Sequence, residues 1–362
     1  MYVFSKVVMF SIFSFFLVGC QSNSNNTSPV VTTEVKQMPR ASKASISRED
    51  LRNAEKVACA DLDGDGVDES IFFDQGVMYW RGNREPLSGG LHVFRRSKLP
   101  NQEKESLLFA TGYAKGFVDA TKTLYRLTDS TVQTVWTHDG ERDQTTDIHE
   151  INGKIFLSIF AEETMVEGGW LENGQLQAQQ KFNMATQQQP LPEDPTSLVV
   201  GRLYGDEKRS FGDVRIIRAD NTTQFLPAFR GVKDIELFDF NKDGHSDILV
   251  SDSWHYQYAS MARPRVQLYM GPDYQDIRTV LDVEANTNKD YIINNIEVHR
   301  DGTKILAQGS QHVYLATQDM LGWKVEKISK ITETGQAVFC YAQEQSYILV
   351  SGTPAELFSI SP

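Results

Sequence analysis

The sequence predicts an all-β chain, a seven-bladed β-propeller of four-stranded blades that follows a processed leader and a flexible tether. Three observations carry this expectation: an aromatic or large apolar marker that recurs at nearly constant spacing, turn dipeptides at fixed places within each interval, and no helical periodicity of useful length. The markers are Tyr79, Tyr125, Trp170, Ile216, Tyr269, Tyr314 and Phe358, each flanked by strand formers. Their steps are 46, 45, 46, 53, 45 and 44 residues, and chance does not keep six intervals that even. An interval of this length holds about four strands, the size of a propeller blade.

Taken in order, residues 1–19 read as a leader. Lys6 is the one charge before an apolar run over residues 7–18, which falls short of the ~20 residues that span a bilayer. Leu17-Val18-Gly19-Cys20 resembles the lipobox of bacterial lipoproteins. That resemblance implies cleavage before Cys20, lipid (palmitate among it) on the cysteine, and a membrane partner reached through this anchor. Gln21 rather than Asp after the cysteine implies the outer membrane, on its periplasmic side or at the cell surface. Residues 20–49, rich in Ser, Asn and Thr, read as a flexible tether. Residues 50–362 then hold the whole propeller and leave no second domain.

The chain carries 36 Lys and Arg against 48 Asp and Glu, a formal charge of −12. So acidic a body argues against nucleic acid or anionic lipid as the partner and suits divalent cations.

Ahead of each marker the pattern predicts a strand pair with a turn inside it. Asn152-Gly153 and Asp301-Gly302 fill that turn in the third and sixth intervals, and Gly205-Asp206 is read as a degenerate version in the fourth. A second hairpin follows each marker, with Asp139-Gly140 and Glu172-Asn173-Gly174 as its turns. Asn-Gly and Asp-Gly accept the positive φ angles of a tight hairpin.

In the first and fifth intervals the first turn is a nine-residue acidic loop, residues 61–69 and 239–247. Oxygen-bearing side chains stand at relative positions 1, 3, 5 and 9 with glycine at 6 in both, a pattern that surrounds one hard cation. Calcium suits it, taking six to eight oxygen ligands and accepting a backbone carbonyl at position 7. An EF-hand is excluded, because position 12, a bidentate Glu in that motif, is Phe72 or Val250. The converging carboxylates repel one another without a cation.

These loops, each followed by an apolar strand, resemble the FG-GAP and VCBS repeats of integrin α-subunit propellers and secreted bacterial proteins. In that family the loop joins the innermost strand to the next and binds calcium on one face of the disc. The resemblance implies Ca2+ at two sites. The ligands of the first would be Asp61, Asp63, Asp65, the carbonyl of Val67 and Glu69, and those of the second Asp239, Asn241, Asp243, the carbonyl of His245 and Asp247. Affinity is expected in the ~10⁻⁴ to 10⁻³ M range of extracellular modules.

Cys59 and Cys340 are the two cysteines besides Cys20. Either they pair in an oxidising compartment or they stand as two buried thiols; ring closure, which sets them on innermost strands of adjoining blades, favours pairing.

The one long step, 53 residues, places an insertion after Val250 that carries Trp254, His255, Tyr256, Tyr258, Arg263 and Arg265. Exposed aromatics and arginines supply much of the binding energy at interfaces, so this is the candidate ligand loop, on the face opposite the acidic loops. The alternative is that these aromatics pack over the fifth blade. The expected function is a binding or assembly platform for an envelope protein or surface glycan. A polysaccharide lyase acting on acidic glycans through His255, Tyr256, Tyr258 and Arg263 is the competing reading. The remaining histidines show no metal spacing and are expected to be structural or exposed.

Overall fold

A computed structural model describes residues 51–98, 103–112, 120–140, 144–160, 165–183, 185–202, 212–226, 231–252, 264–283, 290, 292–332 and 334–360. Residues 1–50, which include Cys20 and the segments read as leader and tether, lie outside them. Among the described residues no helix is long and apolar enough to cross a membrane.

Among the described residues the strands form seven antiparallel sheets in chain order, the blades of a propeller, with six sheets of four strands and a seventh of three. Blade 1 covers residues 56–86, blade 2 90–140, blade 3 144–183, blade 4 185–225, blade 5 232–282, blade 6 293–330 and blade 7 337–360. The innermost strands are Lys56–Ala60, Gly90–Ser97, Gln144–Ile151, Ala185–Pro190, Val232–Phe238, Ile293–Val298 and Ala337–Ala342. Every marker residue lies on the third strand of its blade. That shared position is why one residue per blade carries the period.

The blades hold together because strand side chains alternate between two faces and both faces are covered. The buried apolar residues fall into seven clusters, one between each pair of neighbouring blades. On the second strand of blade 1, Ile71 and Phe73 point to blade 2 while Phe72 points to blade 7. In blade 5, Ile248 and Val250 face blade 4 and Leu249 faces blade 6. Strands buried on both sides read as continuous apolar runs, as these do.

Local turn chemistry agrees with sequence expectation at Asn152-Gly153 and Asn173-Gly174, where all four residues have φ between 51° and 77°. Two expected turns differ. Asp139-Gly140 lies within the outer strand Val132–Gly140 of blade 2, and the hairpin there turns at residues 128–131, closed by Thr128 N–H on the Thr131 carbonyl at 3.0 Å. Asp-Gly permits a turn without requiring one, and pairing with the neighbouring strand decides. In blade 4 the first turn spans residues 191–197, closed by Leu191 N–H on the Ser197 carbonyl at 3.0 Å; Gly205-Asp206 lies outside the described residues.

Candidate functional site

Both acidic loops leave the end of an innermost strand, in blades 1 and 5, so they open on the same face of the ring. Their backbones match: positions 4 and 6 are left-handed in each, at Gly64 (φ 80°) and Gly66 (φ 83°), and at Lys242 (φ 60°) and Gly244 (φ 88°). Their hydrogen bonds match as well. At position 1, Asp61 accepts from Asp65 N–H at 3.1 Å and Gly66 N–H at 3.0 Å, and Asp239 from Asp243 N–H at 3.1 Å and Gly244 N–H at 2.9 Å. Position 3, Asp63 or Asn241, accepts from the N–H of position 5 at 3.1 Å. Position 5, Asp65 or Asp243, accepts from the N–H of position 7 at 2.9 Å. Position 9, Glu69 or Asp247, accepts from the N–H of position 2 at 2.8 Å.

This scaffold turns the side-chain oxygens inward. One ligand oxygen from each of Asp61, Asp63 and Asp65 lies within 4.8 Å of the others. Burial pushes Glu69 up to about 8, against the pull of Leu62 N–H and Arg81, while Asp63 and Asp65 push the same way as burial. The loops differ in one respect. Arg81, in a left-handed turn of blade 1, sets Nη2 3.1 Å from Asp63 Oδ2 and Nη1 3.8 Å from Glu69 Oε1, so a guanidinium already answers part of the first loop's charge. Among the described residues no lysine or arginine pairs with Asp239 or Asp243. An all-oxygen donor set, with carboxylates oriented by backbone N–H groups, fits a hard cation in both loops.

The first loop also belongs to the seam that closes the ring. Asp68 N–H donates to the Tyr341 carbonyl at 2.7 Å, Gln343 N–H to the Gly66 carbonyl at 2.8 Å, and Tyr341 N–H to Asp68 Oδ2 at 3.0 Å. A disulfide joins Cys59 to Cys340 beneath it, with Cα atoms 5.4 Å apart.

The axis of the ring carries a charge network that sequence reasoning missed. Arg95 of blade 2 places Nε and Nη2 3.2 Å from Asp147 Oδ1 of blade 3, and Nη1 2.7 Å from Glu236 Oε1 of blade 5. Its neighbour Arg96 pairs with Asp68 at 3.0 Å, donates to the Phe339 carbonyl at 2.7 Å and lies over the Tyr341 ring. Asp234 accepts from Ile296 N–H of blade 6 at 2.6 Å and from the Gln187 amide of blade 4. The available signal was charge inside strands that otherwise read as apolar: Arg95-Arg96, Asp147, Asp234, Glu236 and Glu297.

Burial raises several of these carboxyls. Glu297 is pushed up to about 7 and Asp68 up to about 6, each by burial against the pull of Arg96; Asp234 and Glu236 also rise through burial, against Arg95. Such groups hold protons to higher pH folded than unfolded. Their contribution to stability is therefore full below the ordinary values of 4.5 and 3.8 and is lost as pH rises through about 6 to 7. Calcium-free protein is expected to melt several degrees lower at about pH 8.5 than at about pH 5.5, read by circular dichroism. A melting temperature that climbs across that interval would contradict the assignment.

Three histidines prove to be carboxylate-bound. His149 Nε2 lies 2.7 Å from Asp147 Oδ2, and His312 Nδ1 lies 2.6 Å from Asp290 Oδ2. His299 sets Nδ1 2.7 Å from Asp301 Oδ1 and Nε2 2.8 Å from Ser346 Oγ. That order of groups matches a Ser-His-Asp relay, but the ring is 4% exposed and packed edge-on between Phe339 and Tyr341. It ties blade 6 to blade 7. Of the expected ligand loop, Trp254, His255, Tyr256, Tyr258 and Arg263 lie outside the described residues, and Arg265 opens the third strand of blade 5.

No family model and no curated protein matches the chain. Among solved structures it is similar to a functionally unknown protein from Desulfotomaculum acetoxidans, at 11% identity, covering 82% of this chain and 96% of that one with a TM-score of 0.45. It is similar to a chain of the yeast Nup82-Nup159-Nup116 nucleoporin complex at 8% identity, covering 86% and 97%, with a TM-score of 0.49. The β-propeller domain of Myceliophteria thermophila Cps50 (Swd1) is similar at 11% identity, covering 75% and 86%, with a TM-score of 0.45.

Proposed function

We propose that this chain is a calcium-braced propeller lipoprotein of the bacterial outer membrane, held through Cys20, that acts as a binding or assembly platform for an envelope protein or surface glycan. The observation that carries the calcium reading is the repetition of one hydrogen-bond scaffold in the loops of blades 1 and 5, with the side-chain oxygens of Asp61, Asp63 and Asp65 converging in the first. Calcium would be held by Asp61, Asp63, Asp65, Glu69 and the Val67 carbonyl, and by Asp239, Asn241, Asp243, Asp247 and the His245 carbonyl. It would supply charge neutralisation and rigidity rather than a reaction. At the first loop it would brace the joint between blades 1 and 7; at the second it would stiffen blade 5.

The test is calorimetry of the full chain with calcium and with chelator. Calcium at 100 times its dissociation constant is expected to add about 2.7 kcal/mol per site, and Asp63→Ala with Asp243→Ala should abolish the response. An unchanged melting temperature on chelation would remove the metal from this reading. Recovery of one envelope protein or glycan from calcium-replete membranes would identify the platform's partner, and recovery of neither would count against it.

A further inference from the structure

The two acidic loops differ through one side chain that neither of them contains. Arg81 opens the hairpin between the third and fourth strands of blade 1, in a two-residue turn with Gly82 (φ 47° and 78°). Blade 3 fills the same turn with Asn173-Gly174, the pair that such a turn favours. Arginine at positive φ is disfavoured, so a local gain must hold it there. That gain is electrostatic. Nη2 lies 3.1 Å from Asp63 Oδ2, and Nη1 lies 3.8 Å from Glu69 Oε1 and 2.5 Å from Asp129 Oδ1.

These contacts divide one guanidinium between the loop and an outside acceptor. Asp63, which is buried, and Glu69 belong to the loop. Asp129 stands beyond it, exposed in the hairpin at residues 128–131 of blade 2, with Lys104 Nζ at 3.8 Å. The second loop has no equivalent cation: among the described residues no lysine or arginine pairs with Asp239 or Asp243. Asp247 acts on Arg278 at longer range, but that exposed guanidinium is bound to Asp276 at 2.6 Å. Charge count alone makes the first loop the tighter site, since it brings four carboxylates against three, with Asn241 in the remaining place of the second. Arg81 cancels that extra charge, and an ion must in addition draw Asp63 and Glu69 away from it, so the order reverses.

We infer that Arg81 is a built-in competitor of calcium at the first loop: it stands in for the cation when calcium is scarce, withdraws to Asp129 when calcium binds, and holds the affinity of the first loop below that of the second. The inference rests on the calcium reading and adds an order of filling to it. The second loop fills first. The seam between blades 1 and 7, to which the first loop belongs, answers only to higher calcium.

Calcium titration calorimetry of the full chain in detergent micelles tests it, with terbium luminescence as a second readout and each loop isolated by disabling the other. Asp243→Ala leaves the first loop and Asp63→Ala the second, and the first should bind about tenfold more weakly. Adding Arg81→Gln to Asp243→Ala should tighten the first loop by at least about tenfold, the scale of removing a unit charge beside a divalent ion at a partly exposed site. Glutamine suits the turn, since Gln75 and Gln343 adopt φ of 48° and 55°. Asp129→Asn in the same background leaves Arg81 to the loop alone and should weaken binding several-fold. Opposite signs from two changes that break one ion pair are the mark of a competitor, which lost packing does not produce. In the Asp63→Ala background Arg81→Gln should leave the second loop as it was. A first loop that Arg81→Gln leaves unchanged or weakens, equal signs from Arg81→Gln and Asp129→Asn, or a first loop as tight as the second with Arg81 in place overturns the inference while calcium still binds. No calcium heat and no terbium signal in any variant overturns the calcium reading, and the inference with it.

Discussion

Replacing Arg95 with methionine is expected to destabilise the folded chain by about 3–5 kcal/mol, the cost of breaking a buried ion network from one side. Methionine preserves the packing of the stem and removes the charge. Three carboxylates then lose their shared cation: Asp147 at 3.2 Å, Glu236 at 2.7 Å and Asp234 at 4.0 Å. They do not suffer equally. Asp234 and Glu236 already hold protons above the usual range and can neutralise. Burial also pushes Asp147 up, but Arg95 and His149 outweigh it and keep its carboxyl below that range. The penalty therefore concentrates on Asp147, which is fully buried. Adding Asp147→Asn to Arg95→Met should recover part of the loss, a non-additive cycle read from urea denaturation near neutral pH. Strict additivity of the two changes would refute the network.

Removing the disulfide carries the other large effect. The described strands of blade 7 all come from residues 337–360 and those of blade 1 from residues 56–86. The ring is closed by packing, by the bridge between Ala54 and Gly352 with N–H to carbonyl distances of 3.0 and 3.1 Å, by the hydrogen bonds of the first acidic loop to residues 341–343, and by Cys59–Cys340. The bond closes a loop of 281 residues, for which chain entropy gives roughly 5 kcal/mol as an upper figure. Cys59→Ala with Cys340→Ala, chosen because both sites are buried and apolar, should lower the urea midpoint accordingly. The same variant should respond more strongly to calcium removal, because the first loop then carries the seam with less help. Identical chelator shifts in the oxidised protein and the variant would show that loop and disulfide act independently.

Much of the fold was legible before any coordinates because its signals are local. A third strand that repeats every 44 to 53 residues announces itself through one marker per blade. Nine consecutive residues, with left-handed positions 4 and 6, contain the hydrogen bonds that orient the side chains at positions 1, 3, 5 and 9. Where signals were permissive rather than compelling the reading slipped: Asp139-Gly140 can turn, but pairing with Ala120 and Thr121 keeps it extended. The axial network gave no local sign of its partners. Arg95 meets Asp147 and Glu236 at separations of 52 and 141 residues, and no pattern in the strand around Arg95 specifies either. His299 and Asp301 are two residues apart, yet Ser346, which completes their relay, is 47 residues away.

By itself the sequence determined the β class, the number of blades and the two acidic loops, since strand alternation, turn chemistry and loop conformation are set within a few residues. Tertiary structure alone decided which charges meet on the axis and how blade 1 is locked to blade 7. Closing the ring brings the innermost strands together around a common axis however far apart they lie in the chain, and that convergence has no counterpart in local sequence.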